Sequence, residues 1–275
     1  MQYRHAERDN FEDFAAGRVF PHVPGMSHFP VRLAIELFAR CLERFPASRR
    51  VTVYDPCCGG GYMLAVVGFH FAHRLRGMLG SDIDPHAVAG ARRTLALLTE
   101  EGMKGRIRAL ESMVADFGKD SHREALESAA NLLEVLRSHS RLGPPVLFEA
   151  DACDATSLPA RPELAARGPV DIVFADVPYG LLTQWRDGPV HAGQPSLHVP
   201  EVGGAQPADA RADAPPGTRS SLDALLEAVA PLMAPDGIVM LASGKDQKVT
   251  HPGWKRLEKE NAGKRRIGIY TRIGS

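Results

Sequence analysis

The sequence predicts an α/β protein built on a doubly wound, mostly parallel β-sheet. Short segments rich in β-branched and apolar residues alternate with longer segments of helical periodicity, which is the pattern of consecutive β-α-β units. Turns containing glycine, proline or aspartate follow several of the short segments. Since ligands of such sheets bind beside the carboxyl ends of the strands, these turns are the first candidates for a functional site.

Five core strands and a late hairpin strand are predicted from the short apolar segments. In chain order they span residues 51–55, 77–82, 145–149, 170–175, 238–241 and 265–273. Pro235-Asp-Gly237 predicts a turn directly before the fifth of them.

Two helices are marked by the residues at their N-termini. Asp84 is predicted to cap a helix whose first residue is Pro85, because a proline there loses no helical hydrogen bond. Ser220 or Ser221 is predicted to cap a later helix, whose apolar residues share one face: Leu222, Leu225, Leu226 and Val229.

We expect one domain over residues 1–275, with three additions to the alternating pattern. Residues 1–45 form a helical leader, and 99–143 form an insertion that is helical in its second half, from Arg123 to His139. Residues 184–218 have almost no large apolar side chain and are predicted to be a flexible loop. This loop is interpreted either as a lid or substrate clamp or as a dispensable surface insertion.

Composition and charge exclude several classes of protein. No apolar run approaches the roughly 20 residues of a membrane span, and the first residues lack the apolar stretch of a secretory signal, so a cytoplasmic protein is expected. Four cysteines without CxxC spacing indicate neither a zinc site nor a disulfide framework, and no metal is expected. The 33 basic residues balance 33 acidic ones, but residues 245–275 hold nine basic and three acidic residues. That excess predicts either a solvated surface or a phosphate-binding face.

The first candidate site is the glycine-rich turn between the first strand and the next helix. Glycines there let the backbone approach a ligand without a Cβ clash. A plain tight turn is the alternative; a dinucleotide site is disfavoured because Leu64 stands where GxGxxG needs its third glycine. The candidate cofactor-binding residues of this turn are Asp55, Pro56, Cys57, Cys58, Gly59, Gly60 and Gly61.

The second candidate site follows the second and third strands. Asp82 is placed to accept both hydroxyls of a ribose, and Ile83 to lie against an adenine face. Asp84 is a candidate for the same ligand as well as the helix cap. Asp151 and Ala152 follow the third strand, where a carboxylate can accept from an adenine amino group; nearby Asp154 is an alternative, and either aspartate is also explained as a turn residue.

The third candidate site follows the fourth strand, with Asp176, Val177, Pro178 and Tyr179 as candidate catalytic residues. The Asp176 carboxylate and the Val177 carbonyl would accept the hydrogens of an exocyclic amine and aim its nitrogen at a methyl donor, while Tyr179 would stack on an extruded base. A strand-terminating turn is the alternative for the tetrapeptide alone. Three such motifs on successive strand ends favour function.

At these residues the sequence resembles the class I methyltransferases, and more closely the avilamycin-resistance (AviRa-type) ribosomal RNA methyltransferases. The resemblance is carried by Tyr3-Arg4-His5-Ala6, by Phe29-Pro-Val-Arg-Leu-Ala34, by Asp55-Pro-Cys-Cys-Gly, by Leu97-Leu98 and by Asp176-Val-Pro-Tyr-Gly. It fades in the 184–218 loop. It implies a Rossmann-like class I methyltransferase fold, S-adenosyl-L-methionine as cofactor, and a guanine of large-subunit ribosomal RNA as substrate.

Two residues depart from the pattern that the resemblance implies. Cys57 stands at the first glycine of the general methyltransferase loop, and Val177 replaces a proline, although the backbone carbonyl of Val177 is retained. Cys57 and Cys58 are interpreted as packing residues, because no basic neighbour lowers a thiol pKa. RNA is expected to dock on Lys264, Arg265 and Arg266, and on Arg32 if the leader folds over the cofactor mouth.

Other interpretations stay open at this stage. The same tetrapeptide suits an amino-methyltransferase acting on DNA adenine or on protein glutamine. A scaffold that binds S-adenosylmethionine or RNA with an inactive site is a second alternative, and a nicotinamide-dependent reductase a distant third. No obligate protein partner is evident from the sequence.

Overall fold

The computed structural model describes residues 1–15, 17–22, 28–138, 142–177 and 220–274. In this part of the chain seven strands form a single sheet: β1 Val51–Asp55, β2 Leu75–Asp82, β3 Val146–Glu149, β4 Val170–Asp176, β5 Met233–Gly244, β6 Trp254–Ala262 and β7 Arg265–Arg272. Their order across the sheet is β3-β2-β1-β4-β5-β7-β6. The first five strands are parallel, and β7 is antiparallel to both of its neighbours.

The strand order reverses between β1 and β4, which are neighbours in the sheet although two strands separate them in the chain. In doubly wound sheets the crevice at such a reversal is where ligands bind. The predicted doubly wound, mostly parallel sheet is confirmed, and the reversal lies between the first and third candidate sites.

Seven α-helices accompany the sheet within the described residues: α1 Val31–Leu42, α2 Tyr62–Phe71, α3 Pro85–Ala96, α4 Glu100–Phe117, α5 Asp120–Ser138, α6 Pro162–Ala165 and α7 Ser221–Val229. Both predicted caps are present. The Asp84 side chain accepts from the backbone N–H of His86, and Ser220, not Ser221, accepts from the N–H of Asp223. None of the helices described is long and apolar enough to cross a membrane.

The core lies on both faces of the sheet. One apolar cluster joins α1, α2, α4 and α5 to the face that carries Val53, Phe174 and Met240. The other joins α7 to the face that carries Tyr54 and Val173. Because helices cover both faces, β1 and the central part of β4 are buried throughout, and the polar groups at the strand ends mark the accessible edge.

Three sequence-based expectations differ from the structure. Pro235–Gly237 was predicted to be a turn before the fifth strand but lies inside β5. The pairing with β4 shifts register there, and the exposed residues form a bulge beside Asp171 of β4. The edge strand β6 was not predicted. The insertion is helical in both halves, as α4 and α5, although helix was expected only from Arg123 onward.

The leader is anchored by one buried carboxylate. Glu36 of α1 accepts the backbone N–H groups of Arg4, His5 and Ala6 at 2.7–3.0 Å, and Arg40 Nε at 2.8 Å. Burial alone would raise its pKa, but these donors outweigh burial and lower the pKa of Glu36 to about 2. Among the described residues before Val31, the helical structure consists of the 3-10 turn Glu12–Phe14, so most of the leader is held by contacts and not by helix.

Candidate functional site

The carboxyl ends of β1 and β2 are tied together by the glycine-rich turn. The N–H of Cys58 donates to the Ser81 carbonyl at 2.8 Å, and the N–H of Gly59 donates to Asp82 Oδ2 at 2.9 Å. Asp82 Oδ1 accepts the N–H of Asp84 at 3.0 Å. The first and second candidate sites are therefore one site, with the Asp82 carboxylate at its centre.

Asp82 is held in an environment that disfavours its charge. Burial raises the pKa of this carboxyl, the N–H groups of Asp84 and Gly59 oppose the increase, and the nearby Asp84 charge adds to it. Its Oδ2 accepts the N–H of Gly59 and its Oδ1 that of Asp84, and a carboxylate has further lone pairs beyond these two hydrogen bonds. A ligand with two adjacent hydroxyls would satisfy those lone pairs.

The turn needs glycine for conformation and for space. Gly59 and Gly61 have positive φ of 50° and 76°. A Cβ at Gly61 would lie 3.0 Å from the Cα of Ala91 on α3, so the turn passes directly against that helix. The Gly61 carbonyl accepts the N–H of Ala65 and begins α2, whose N-terminal N–H groups face the strand ends.

The glycine turn is supported from inside by the four residues before it, Asp55, Pro56, Cys57 and Cys58. Asp55 is 1 % exposed and accepts the N–H of Cys57 at 3.0 Å. Burial raises its pKa well above the usual value, and the charges of Asp82 and Asp176 raise it further. Burial also raises the thiol pKa of both cysteines, as expected of packing residues.

The residues after β3 differ in exposure and in hydrogen bonding. Ala150 N–H donates to the Asp82 carbonyl at 3.1 Å, which brings this loop to the same edge. Ala152 is buried, whereas Asp151 is exposed and its Oδ1 accepts the N–H of Cys153. Asp154 is committed to its own turn through Thr156 and Ser157, which leaves Asp151 as the aspartate that faces solvent here.

The end of β4 places Asp176 opposite a residue that the sequence had assigned to another role. Arg265 of β7 lies with Nε 3.4 Å from Asp176 Oδ1 and Nη2 3.4 Å from Oδ2. Burial raises the pKa of Asp176, and Arg265 opposes that increase. Val177 is buried, and its N–H donates to the Ala242 carbonyl at 2.9 Å. Pro178 and Tyr179 lie outside the described residues, as does the 184–218 loop.

The leader contributes residues beside the site. The sequence predicted such a contact only in general terms, as a leader folded over the cofactor mouth. Phe29 is 3 % exposed, and the Arg265 guanidinium carbon lies 4.9 Å from its ring centroid. The ring of His28 contacts Tyr62, the first residue of α2, at 4.6 Å, and the Tyr62 hydroxyl donates to the carbonyl of Phe14. Phe29 lies in a segment that carried the family resemblance, and this was the available signal for its importance.

The four predicted RNA-binding residues do not form one basic surface. Lys264 is exposed in the turn between β6 and β7. Arg265 faces Asp176, and Arg266 Nη1 donates to the Gln247 carbonyl at 2.6 Å. Arg32 donates to the Ala6 carbonyl at 2.9 and 3.1 Å and stacks on Tyr3, so it braces the leader. Arg32 and Arg265 thus make contacts within the protein, and RNA binding by these four residues stays a prediction.

The site thus combines a glycine turn, a partly buried carboxylate with further acceptor capacity, and a second carboxylate facing an arginine. The donor and acceptor set fits a nucleoside cofactor, because Asp82 complements a ribose diol and Gly59–Gly61 leave room beside it. Asp176, at the end of the neighbouring strand β4, offers a proton acceptor.

Comparisons with known proteins agree with this geometry. A sequence model of the family described as rRNA methyltransferase AviRa matches residues 1–198. A curated protein of Streptomyces viridochromogenes, 23S rRNA (guanine(2535)-N(1))-methyltransferase, is 40% identical over 209 residues, which are 76% of this chain and 82% of that protein. Two solved structures of the rRNA methyltransferase AviRa of the same organism, at 2.4 and 1.5 Å, superpose with a TM-score of 0.78 at 32% and 30% identity. Each covers 99% of this chain and 96% of its own.

Proposed function

This chain belongs to the rRNA methyltransferase AviRa family, and from that membership we propose that it methylates N1 of a guanine in 23S ribosomal RNA with S-adenosyl-L-methionine as the methyl donor. The observation that carries the proposal is the position of Asp176. This partly buried carboxylate ends β4, the neighbour of β1 and its glycine turn, where it can take a proton from a base held next to the cofactor.

Cofactor binding is assigned to the residues at the ends of β1, β2 and β3. Asp82 accepts the ribose hydroxyls, Ile83 packs on the adenine, and Asp151 with Ala152 closes the adenine end. Gly59, Gly60 and Gly61 admit the rest of the molecule against the N-terminus of α2. When bound there, S-adenosylmethionine supplies an electrophilic methyl group on a sulfonium sulfur.

Asp176 acts as the proton acceptor. Guanine N1 carries a hydrogen, and its lone pair can attack a methyl group only as that proton leaves. Burial raises the pKa of Asp176, which makes the ionised carboxylate a stronger base than an exposed aspartate. The sequence-based hypothesis had an exocyclic amine as nucleophile; the name of the curated relative favours the ring nitrogen instead.

RNA docking is assigned to the edge of the sheet around the β6–β7 turn. Lys264 is exposed there and available to a phosphate. Tyr179 follows Asp176 by three residues and is proposed to stack on the extruded guanine, which offsets part of the cost of unstacking, a few kcal/mol. The substrate is a ribosomal RNA, so the proposed place of action is the cytoplasm.

The test is transfer of labelled methyl from S-adenosylmethionine to purified 23S rRNA, duplex DNA and total protein. We expect label in the RNA, and mass spectrometry of nuclease digests should find it as N1-methylguanine. Label in DNA adenine or protein glutamine would instead support the alternative amino-methyltransferases. Cofactor binding without transfer to any of the three would support an inactive scaffold.

A further inference from the structure

We propose that Arg265 and Asp176 together recognise the Watson–Crick edge of the target guanine, with Arg265 donating to O6 while Asp176 accepts the N1 proton. This inference rests on the proposed function and deepens it. It gives Arg265 a direct part in the reaction, in place of the phosphate contact that the sequence suggested.

The two side chains face each other without closing into a tight pair. Both N···O distances are 3.4 Å, longer than the roughly 2.7–2.9 Å of a strong charge-assisted hydrogen bond. The side chains are 17% and 16% exposed, so each still has a surface at the open edge of the sheet. An incoming base can therefore reach both groups.

The sheet register explains why Arg265 can reach Asp176 across an intervening strand. Asp176 pairs with Ala242 of β5, and Gly244 of β5 pairs with Arg265. Paired residues and residues two apart on one strand share a face, so all four lie on the same side of the sheet. Ala242 and Gly244 leave little side chain over the end of β5. The arginine crosses in the space above them.

Phe29 fixes the direction of that crossing. Its ring is buried at the N-terminus of α1 and lies under the Arg265 guanidinium, 4.9 Å from centroid to guanidinium carbon. A cation over an aromatic face is attracted to it and loses rotational freedom. Arg265 is thus held in place before RNA arrives, and less ordering is needed when the base binds.

The chemistry of guanine matches this pair. O6 is an acceptor beside the N1–H donor, so an arginine and a carboxylate side by side complement them. As N1 loses its proton to Asp176, negative charge develops on O6, where a guanidinium donor stabilises it. The N1–carbon bond then forms while the carbon–sulfur bond breaks, and its electron pair stays on sulfur. Adenine would present an amino donor to Arg265 and no proton to Asp176, so it is rejected.

The experiment compares Arg265→Ala and Arg265→Lys with Lys264→Ala, the exposed neighbour assigned to a phosphate. Substrates are two RNA oligonucleotides of the target region, one with guanine and one with 6-thioguanine at the methylated position. Sulfur accepts hydrogen bonds weakly, and thioguanine N1–H is more acidic. Thermal unfolding checks folding, and anisotropy measures RNA affinity without cofactor.

For Arg265→Ala on guanine RNA we expect kcat to fall about 100-fold, the loss typical of one donor to a developing oxyanion. The rise of its pH–rate profile should move to higher pH, because Arg265 no longer lowers the pKa of Asp176. On thioguanine RNA the ratio of wild-type to variant kcat should shrink at least tenfold. Arg265→Lys keeps the positive charge opposite Asp176, so its kcat should lie between those of the wild type and Arg265→Ala. Lys264→Ala should mainly raise KM and weaken RNA affinity.

Two results would overturn the inference. If Arg265→Ala raises KM with an unchanged kcat, as Lys264→Ala is expected to, the arginine binds phosphate. If both Arg265 variants fold and lose kcat by the same factor on guanine RNA and on thioguanine RNA, the arginine only holds Asp176. Failure of the wild type to methylate the target base of either RNA would instead defeat the proposed function.

Discussion

Asp82 and Asp84 lie two residues apart at the end of β2 and yet have different partners. Asp82 receives backbone N–H groups from the glycine turn and from Asp84 itself. Asp84 receives the N–H of His86 and begins α3. Of the two, Asp82 has the orientation toward the glycine turn that a ribose contact requires.

Replacing Asp82 by asparagine should weaken binding of S-adenosylmethionine about 10- to 100-fold, because a hydrogen bond to a charged group contributes about 1.5–3 kcal/mol. Isothermal titration calorimetry measures the change. Asp154→Asn is the matched control, since Asp154 bonds only within its own turn in the contacts described above. Equal affinities for wild type and Asp82→Asn would remove Asp82 from the cofactor site.

Asp176→Asn should lower kcat by about 100-fold or more, because an amide cannot accept the guanine proton. In the wild type the ionised carboxylate is the active form. Its pKa is raised, so activity should be lost as pH falls through a value above the usual 3.8. A pH–rate profile under saturating substrates measures that limb. A variant with the wild-type rate would contradict the proton-acceptor role.

Among the elements, a network of ion pairs centred on Arg40 joins the leader, α1 and the edge strand β6. Glu36 holds the backbone of residues 4–6 and the side chain of Arg40. Arg40 Nη1 also contacts Glu258 Oε2 of β6 at 3.1 Å. The leader, which carries Phe29 into the site, is therefore fixed from its first residues.

Glu36→Gln should lower the free energy of unfolding by about 3 kcal/mol, because the buried Arg40 and three N–H donors lose their shared anion. Urea unfolding at pH 7 measures it. Glu43→Gln is the control: Glu43 contacts Arg4 at 3.6 Å from an exposed position, and its loss should cost less than about 1 kcal/mol.

The stabilisation by Glu36 should depend on pH in a defined direction. Its pKa is lowered from 4.5 to about 2, so the stabilising charge is fully present above pH 4.5 and is lost as pH falls toward 2. The difference in unfolding free energy between wild type and Glu36→Gln should therefore shrink over that interval. A difference that stays constant from pH 7 to pH 2 would show that the carboxylate charge does not anchor the leader.

The elements that the sequence did not predict share a physical cause. β6 is an edge strand with charged side chains on its open face, such as Lys255 and Lys259, and such strands lack the apolar alternation of a core strand. α4 contains Gly102 and Gly105, which lower its intrinsic helix propensity. The helix is held in place by the buried side chains of Met103 and Leu110. Tertiary packing determines both.

The candidate site was predictable where function depends on consecutive residues and not where it depends on distant ones. Asp55–Gly61, Asp82 and Asp176 could be placed because each follows a strand whose end is evident in the sequence. The contacts of Arg265 with Phe29 and Asp176 require the order of β4, β5 and β7 in the sheet. No local pattern encodes that order.

For the whole molecule, equal numbers of basic and acidic residues leave no net charge to attract RNA. Affinity then depends on a few local contacts. Lys264→Ala should lower the slope of log affinity against log salt by about 0.7–0.9, the contribution of one phosphate contact. Lys104→Ala on α4, where Lys104 pairs with Glu100 at 3.1 Å, should leave the slope near its wild-type value. An unchanged slope in both variants would place the RNA elsewhere.

The contact between Phe29 and Arg265 also bears on when this protein becomes competent during its own synthesis. The two residues are far apart in the chain, and domains form as their segments emerge during translation. β1 to β4 are translated before β7. The pair proposed to recognise the base, Arg265 and Asp176, cannot form until residue 265 has left the exit tunnel. A chain that stops before residue 265 therefore carries the proposed cofactor-binding residues without the arginine proposed to select the base.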